Sequence, residues 1–383
     1  MRVPRIRVDG FNNNFEKKIF GEIVSSISTS LYIKSVVSDL GKYEVIQQGD
    51  TPILGYSDDQ PFEKYKSVIL FGDHTLSLYR PKAPFLLATD GIKILQSTIL
   101  KRDYLYYLTQ NYIPKSQGYK RHFSVLKQVF VNYSRDSSEQ SIIGSLFSNL
   151  DDLVASYKDN LTNYQSLKET MLSKMFPKAG QTVPEIRLDG FEGEWELYEL
   201  KSRAETITKG TTPKDKSWQG EVNYIKTESI NRDTGSLVRT TSTSLEEHLG
   251  YLKRSILKEG DVLFSIVGTL GVVGIVDKKD LPANTNQQIA IIRLKRDDAI
   301  FMLNFLKSPR IKSFIKSDST IGAQPSLSLW QIEKIKVSLP PSLEEQQAIG
   351  TYFSNLDNLI NSRQEKIFQL ETLKKKLLQD MFI

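Results

Sequence analysis

The side chains best suited to meet a charged ligand gather in three short polar stretches. Gln117 to Phe123 carries Lys120, Arg121 and His122 beside Gly118, and Lys209 to Lys214 carries Lys209, Thr211, Thr212 and Lys214 around Gly210. Gly322 to Ser326 adds Gln324 and Ser326. Lys and Arg neutralise phosphates or bond guanine, Gln suits adenine, and hydroxyls serve either, so these types together point to nucleic-acid contact. Each stretch alone reads more readily as a solvated turn, so its meaning depends on the elements that position it.

Other chemistries find less support. The chain has no cysteine, and its three histidines, His74, His122 and His248, lie far apart without metal-ligand spacing. Gly268, Gly271 and Gly274 recur every three residues but lack the spacing and the lysine of a phosphate-binding loop, so close strand or turn packing explains them better. There is no Walker loop, no Asp-Pro-Pro-Tyr tetrapeptide of an amino-methyltransferase and no cluster of acids with a lysine that would suit a nuclease. The expectation is a chain with no catalysis and no cofactor or metal of its own.

At 383 residues, two or three folded units are expected; 39% hydrophobic and 25% charged residues are the proportions of a globular protein. No apolar run approaches the roughly 20 residues of a membrane helix. Met1 leads straight into Arg2, Pro4, Arg5 and Arg7 with no apolar leader, so no membrane partner is expected and the location read is cytoplasmic. Lys plus Arg exceed Asp plus Glu by six, and the excess lies before residue 135 and between 177 and 340. Such basic stretches supply salt-dependent phosphate affinity, or merely a solvated surface.

The strongest signal is internal repetition. Val3-Pro4-Arg5-Ile6-Arg7-Val8-Asp9-Gly10-Phe11 returns as Val183-Pro184-Glu185-Ile186-Arg187-Leu188-Asp189-Gly190-Phe191. Glu139-Gln140 to Met175-Phe176 returns without a gap as Glu345-Gln346 to Met381-Phe382, with 16 of 38 positions identical. The first offset is 180 and the second 206, so the interior of the second copy is 26 residues longer. The order is therefore a variable block (1–135), a constant segment (136–178), a second variable block (179–340) and a second constant segment (341–383). Because the chain stops where a third copy would start, a closed, pseudo-twofold arrangement is expected.

In the constant segments, Ile143, Leu146, Leu150, Leu153, Tyr157 and their successors recur every three or four residues, as do Ile349, Tyr352, Leu356 and Leu359, which predicts two amphipathic helices. Asp136 and Ser342 each precede a Glu by three residues, the spacing of a capping box. Helices of some 38 residues span about 55 Å, the length of roughly 15 base pairs. One apolar stripe cannot be buried alone, so the two helices are expected to pair, antiparallel if the copies are twofold-related. In the variable blocks, strand-like runs at 67–71, 261–267 and 288–293 mix with a helical pattern at 301–306, giving an α+β class.

The full pattern resembles the specificity subunit of type I restriction-modification systems. The marks are Pro-x-Ile-Arg-x-Asp-Gly-Phe at Pro4 and Pro184, Lys209-Gly210-Thr211-Thr212-Pro213, Gly260-Asp261-Val262-Leu263, and Gln324-Pro325-Ser326-Leu327-Ser328 running on through Leu339-Pro340-Pro341 to Glu345-Gln346. The first block departs from the pattern in lacking the Gly-Thr-Thr-Pro loop and the Pro-Pro before Glu139. The resemblance implies two mixed α/β target recognition domains separated by two long antiparallel spacer helices, each domain reading one half of a bipartite double-stranded DNA target. It also implies docking of two methyltransferase subunits, further restriction subunits, and S-adenosylmethionine, ATP and Mg on those partners. Two other readings remain at this point: a helical assembly scaffold without a DNA role, and an enzyme with an unrecognised active site.

Overall fold

The computed structural model describes residues 4–34, 36–118, 121–320 and 324–382. It is α+β and divides into two compact units, Met1–Lys158 with Glu365–Ile383, and Asp159–Gln364. Each unit contains one variable block and parts of both long helices, Ser137–Lys174 and Leu343–Met381.

The two units use the same element plan. In the first, Glu16–Ile19 pairs antiparallel with Phe130–Tyr133 beside the start of the long helix; in the second, Glu196–Glu199 pairs with Lys336–Leu339. A four-stranded sheet follows. It runs Ser25–Ile27, Ile92–Gln96, Val68–Gly72, Leu78–Tyr79 in one unit and Ala204–Lys209, Ile289–Leu294, Val262–Ser265, Val273–Ile275 in the other. A three-stranded sheet completes each block, with one parallel pair: Tyr43–Ile46 beside Phe85–Leu87, and Val222–Ile225 beside Ala283–Thr285. The central strands Val68–Gly72 and Val262–Ser265 are buried throughout, which accounts for their unbroken apolar runs.

The repeated residues turn out to be fasteners. Arg7 grips Glu139 with two bonds of 2.8 and 3.1 Å, and Arg187 grips Glu345 with two of 2.8 Å. The expected capping boxes are therefore only half formed. Asp136 and Ser342 do accept the N–H of Glu139 and Glu345, but the Glu side chains turn to the arginines of the repeated opening segment. Gln140 accepts the N–H of Lys101 at 2.8 Å and Gln346 that of Asp298 at 2.9 Å, tying each long helix to the start of a shorter one, Arg102–Tyr112 or Ala299–Lys307. Gly144 and Gly350 sit at these crossings. A Cβ there would lie 3.0 Å from the Tyr104 nitrogen or 2.8 Å from the Asp298 carboxylate, so any larger residue would push these neighbours away.

Within each unit the two long helices run antiparallel. In the first unit Asp151 pairs with Lys374, Lys158 with Glu371 at 2.7 Å, and Phe147 packs 6.0 Å from Phe382. In the second, Lys168 pairs with Asp357 and Phe176 stacks on Phe353 at 6.0 Å. Asp151 and Asp357 are repeat mates, as are Lys168 and Lys374, and each acid takes the lysine of the other helix. The stripe expected from spacing is buried only in part: Ile143, Met175, Ile349 and Leu356 are buried as expected. Phe147 and Val154 are buried, whereas Leu146, Leu153, Leu167, Leu359 and Leu373 stay exposed.

Candidate nucleic-acid interface

In the second unit the predicted loops meet at one end of the four-stranded sheet. Lys209 lies opposite Ala290, which lies opposite Phe264, so the three strands end together. Beyond that edge the Gly210 N–H donates to the Ile289 carbonyl at 3.3 Å and the Thr211 N–H to the Thr285 carbonyl at 2.9 Å. Gly210 is obligatory here, because a Cβ would fall 2.0 Å from the Thr285 oxygen. On the other side, the Leu327 N–H bonds the Ile266 carbonyl at 2.9 Å and the Gly268 N–H bonds the Pro325 carbonyl at 3.0 Å. Gly268 and Gly271 thus form a strand-connecting turn, both with positive φ.

The side chains at this edge differ in what they can offer. Lys209, Lys214 and Gln324 are exposed, while Thr211, Thr212 and Ser326 are half-buried. Thr212 bonds the Gln287 amide oxygen, and the Ser326 hydroxyl sits 3.0 Å from that of Thr320. The Lys214 ammonium lies 4.7 Å from the centre of the Tyr251 ring, while the Glu247 carboxylate holds its main chain at 2.9 Å. Gly322 and Ala323, which open the third predicted stretch, lie outside the described residues.

Several further groups belong to the same edge. Exposed Gln287 stands between the 209–214 loop and the strand ends. Arg254 reaches the Thr211 hydroxyl at 3.4 Å, and Tyr224 donates to the Thr211 carbonyl at 3.0 Å. Burial pushes the Tyr224 phenol well above its ordinary value, so it stays a neutral donor. Lys226 lies 3.7 Å over the Trp218 ring, and that ring is 5.5 Å from Tyr224. The polar run Asn284 to Gln288, from the strand Ala283–Thr285 up to the apolar strand Ile289–Leu294, was the available signal for Gln287. Nothing in the spacing pointed to Arg254 or Tyr224.

The first unit assembles the corresponding edge from other residues. The Asp73 N–H bonds the Gly91 carbonyl at 2.8 Å, and the Asp73 carbonyl and carboxylate take the N–H groups of His122 and Phe123. Arg121 is exposed, 3.5 Å from Asp90. The expectation for His122 is corrected. Its ring is fully buried, with Nδ1 3.0 Å from the Asp73 carbonyl and Nε2 accepting the Gln117 N–H at 3.0 Å, so both nitrogens hold the loop and neither faces a ligand. Lys120 lies outside the described residues. Gln48, which bonds the His74 N–H at 3.1 Å, joins this edge unannounced by the sequence.

Among the described residues no three His, Asp or Glu side chains are grouped to hold a metal ion, and no helix is long and apolar enough to cross a membrane.

Comparison with known proteins agrees with this architecture. Residues 192–372 match the type I restriction modification DNA specificity domain. The type I restriction enzyme MjaVIII specificity subunit of Methanocaldococcus jannaschii is 24% identical over 311 residues, covering 76% of this chain and 72% of that protein. The putative type I restriction enzyme MjaX specificity subunit of the same organism is 23% identical over 391 aligned positions, covering 97% and 88%. The crystal structure of the type I restriction-modification system S subunit from M. genitalium shares the fold, with a TM-score of 0.65 at 17% identity over 100% of this chain and 99% of that one. In a domain matched over residues 192–372, in relatives that align over most of their length and in its duplicated fold, this chain is similar to the specificity subunits of type I restriction-modification systems.

Proposed function

We propose that each variable block, 1–135 and 179–340, reads one half of a bipartite double-stranded DNA target, and that the helical segments 136–178 and 341–383 fix the distance between the halves. A single module reading a few base pairs discriminates poorly, since each correct pair contributes only about 1 to 3 kcal/mol. Two modules on one ruler add their discrimination. The observation that carries this reading is the contrast between kept and changed residues. Fasteners such as Arg7/Arg187, Glu139/Glu345 and Phe147/Phe353 are duplicated, while the sheet edges are built from unlike side chains: Arg121 and Gln48 in one, Lys209, Thr212 and Gln287 in the other. Unlike half-sites need unlike readers.

The same reading gives the helices a second task. Leu153 and Leu359 are repeat mates, as are Leu167 and Leu373, and all four are exposed at 38 to 45%. Equivalent apolar positions left open on both helices suit two copies of one partner, which we take to be methyltransferase subunits, with restriction subunits joining the assembly. In this account the chain itself catalyses nothing and acts in the cytoplasm; S-adenosylmethionine, ATP and Mg serve the partners. Exchanging residues 183–335 for the corresponding block of another specificity subunit tests the proposal. One half-site of the methylated sequence should change and the other should stay; a change in both halves would overturn it.

A further inference from the structure

Each unit has a cleft at the corresponding place, between its long helix, the short helix that crosses it and the open end of a β-hairpin. The first, of about 890 Å³, is lined by Ser148 and Asp152 of the long helix, by Arg102 and Tyr106 of the helix Arg102–Tyr112, and by Arg80 just beyond the strand Leu78–Tyr79. The second, of about 670 Å³, is lined by the repeat mates Ser354 and Asn358, by Ala299 and Leu303 of the helix Ala299–Lys307, and by Asp277 beyond the strand Val273–Ile275. The backbone plan is kept and the charge is reversed. Five basic side chains, Lys66, Arg80, Lys82, Lys101 and Arg102, line the first with two acids, Asp103 and Asp152; the second has Glu259, Asp277, Asp298 and Asp357 with one base, Lys279.

The cations of the first cleft fall into two groups. Arg80 is built in: it lies 3.3 Å from Asp103 and 3.6 Å from Asp151, donates to the Ser148 hydroxyl at 3.2 Å, and sits 4.7 Å from the centre of the Tyr106 ring. Arg102 shares Asp103 at 3.2 Å. Lys66, Lys82 and Lys101, in contrast, are exposed and form no ion pair among the described residues. They come from three places in the chain: the turn before the strand Val68–Gly72, the segment after Leu78–Tyr79, and the N-cap of Arg102–Tyr112. Against them stand Ser141, Gly144, Ser145 and Ser148, small residues at steps of one, three or four on one face of the long helix, which leave room for another backbone to lie close.

These lysines stand apart from the polar sheet edge. That edge lies at the closed end of the hairpin, around Asp73 and Gly91, whereas the cleft lies at the open end, beyond the pairs Phe71 with Leu78 and Leu70 with Tyr79. The five residues of Val68–Gly72 separate the two, about 17 Å. Two copies of one partner do not fit either, since they would need like charges in both clefts. Cations spread over three places suit carboxylates spaced along a chain; a single phosphate group would need them gathered at one point. We propose that the first cleft docks one acidic, extended segment of a partner protein, with Lys66, Lys82 and Lys101 pairing its carboxylates and the small-residue face of the helix receiving its main chain. This docking is independent of the DNA reading, and either can fail without the other.

The test is fluorescence anisotropy of the full chain at low salt with a short labelled peptide of alternating Glu and Ser, and with a control of alternating Gln and Ser. The Glu-Ser peptide should bind saturably and more weakly as salt rises, and the control should not bind. Lys66→Ala/Lys82→Ala, which removes two exposed side chains without ion pairs and so leaves the fold intact, should weaken binding about tenfold. Lys209→Ala, on the sheet edge of the other unit, should leave it unchanged. Duplex DNA and tripolyphosphate, matched to the peptide in charge, should displace it poorly. Tighter binding of either that is lost in the double variant would give the cleft to phosphates and overturn the proposal. An equal loss in Lys209→Ala, an unaffected double variant, equal binding of the two peptides or no saturable binding would overturn it as well.

Discussion

Arg187→Met separates a fastener from a decoration. Arg187 meets Glu345 through two bonds of 2.8 Å, with the side chains only 14% and 1% exposed. An exposed pair would contribute at most about 1 kcal/mol. A buried carboxylate deprived of its partner costs about 3 to 5 kcal/mol. Because Glu345 keeps little contact with water, the larger range applies, and we expect about 3 kcal/mol, close to a 150-fold change in local opening at about 1.4 kcal/mol per tenfold. The repeat supplies an internal comparison. Glu139 would keep a bond of 2.5 Å from the Ser134 hydroxyl after Arg7→Met, so that variant should lose less, about 2 kcal/mol. Hydrogen exchange of the full chain, followed at residues 185–191 and 345–350, reads the effect where it arises. The double variant Arg187→Met/Glu345→Leu should recover most of the loss, since replacing both partners removes the stranded charge. Exchange within threefold of the parent in Arg187→Met, or a double variant no better than the single one, would refute the reasoning.

Two further variants probe other parts of the account. Lys209→Ala, at an exposed position on the sheet edge, should weaken DNA binding of the assembled complex and reduce the slope of log affinity against log salt by about 0.9; an unchanged slope in fluorescence anisotropy removes Lys209 from the interface. Lys307 is half-buried, its ammonium donating to the Asp233 carbonyl at 3.0 Å, and desolvation first and the neighbouring Lys168 charge second push its pKa down to about 7 from 10.5. Between those values the unfolded chain holds a proton that the folded chain does not. Stability from this group therefore rises with pH across that window, and its full cost is felt below pH 7. Lys307→Met should stabilise by about 2 kcal/mol at pH 6, discounted from about 1.4 kcal/mol per pH unit, and the gain should vanish near pH 10.5. Thermal melts showing a gain independent of pH would contradict it.

Much of this architecture was legible because the chain states its constant part twice. Sixteen identities in 38 positions marked the long helices, but the spacing read Glu139 and Glu345 as halves of capping boxes, and only the structure shows them gripped by Arg7 and Arg187. What could not be read was which side of a helix meets which neighbour. Leu153 and Val154 are adjacent apolar residues, and only the packing decides that Val154 is buried. The exchange of Lys168 and Lys374 between helices was likewise invisible, since each lysine looks like a solvated surface charge until the antiparallel partner brings an aspartate to it. His122 misled for the same reason in reverse. A histidine between Arg121 and Phe123 reads as an exposed loop residue, yet Asp73, 49 positions away, supplies the carbonyl that buries its ring. Sequence types identified the polar edge of the second block, and long-range hydrogen bonds supplied Gln287, Arg254 and Tyr224 to it.

The central claim is that the helices measure DNA for two independent readers. Four residues inserted into each helix, between Lys158 and Lys168 in the first and between Asp357 and Glu371 in the second, leave the ion pairs on either side in place. Each helix grows by about 6 Å, the rise of one or two base pairs. Mapping methylated positions in DNA from cells that express the chain with the proposed methyltransferase subunits should give two short half-sites around an unread gap, with the gap longer by one or two base pairs in the insertion variant and both half-sites unchanged. A contiguous target, or an insertion that alters a half-site while leaving the gap as it was, would contradict the account.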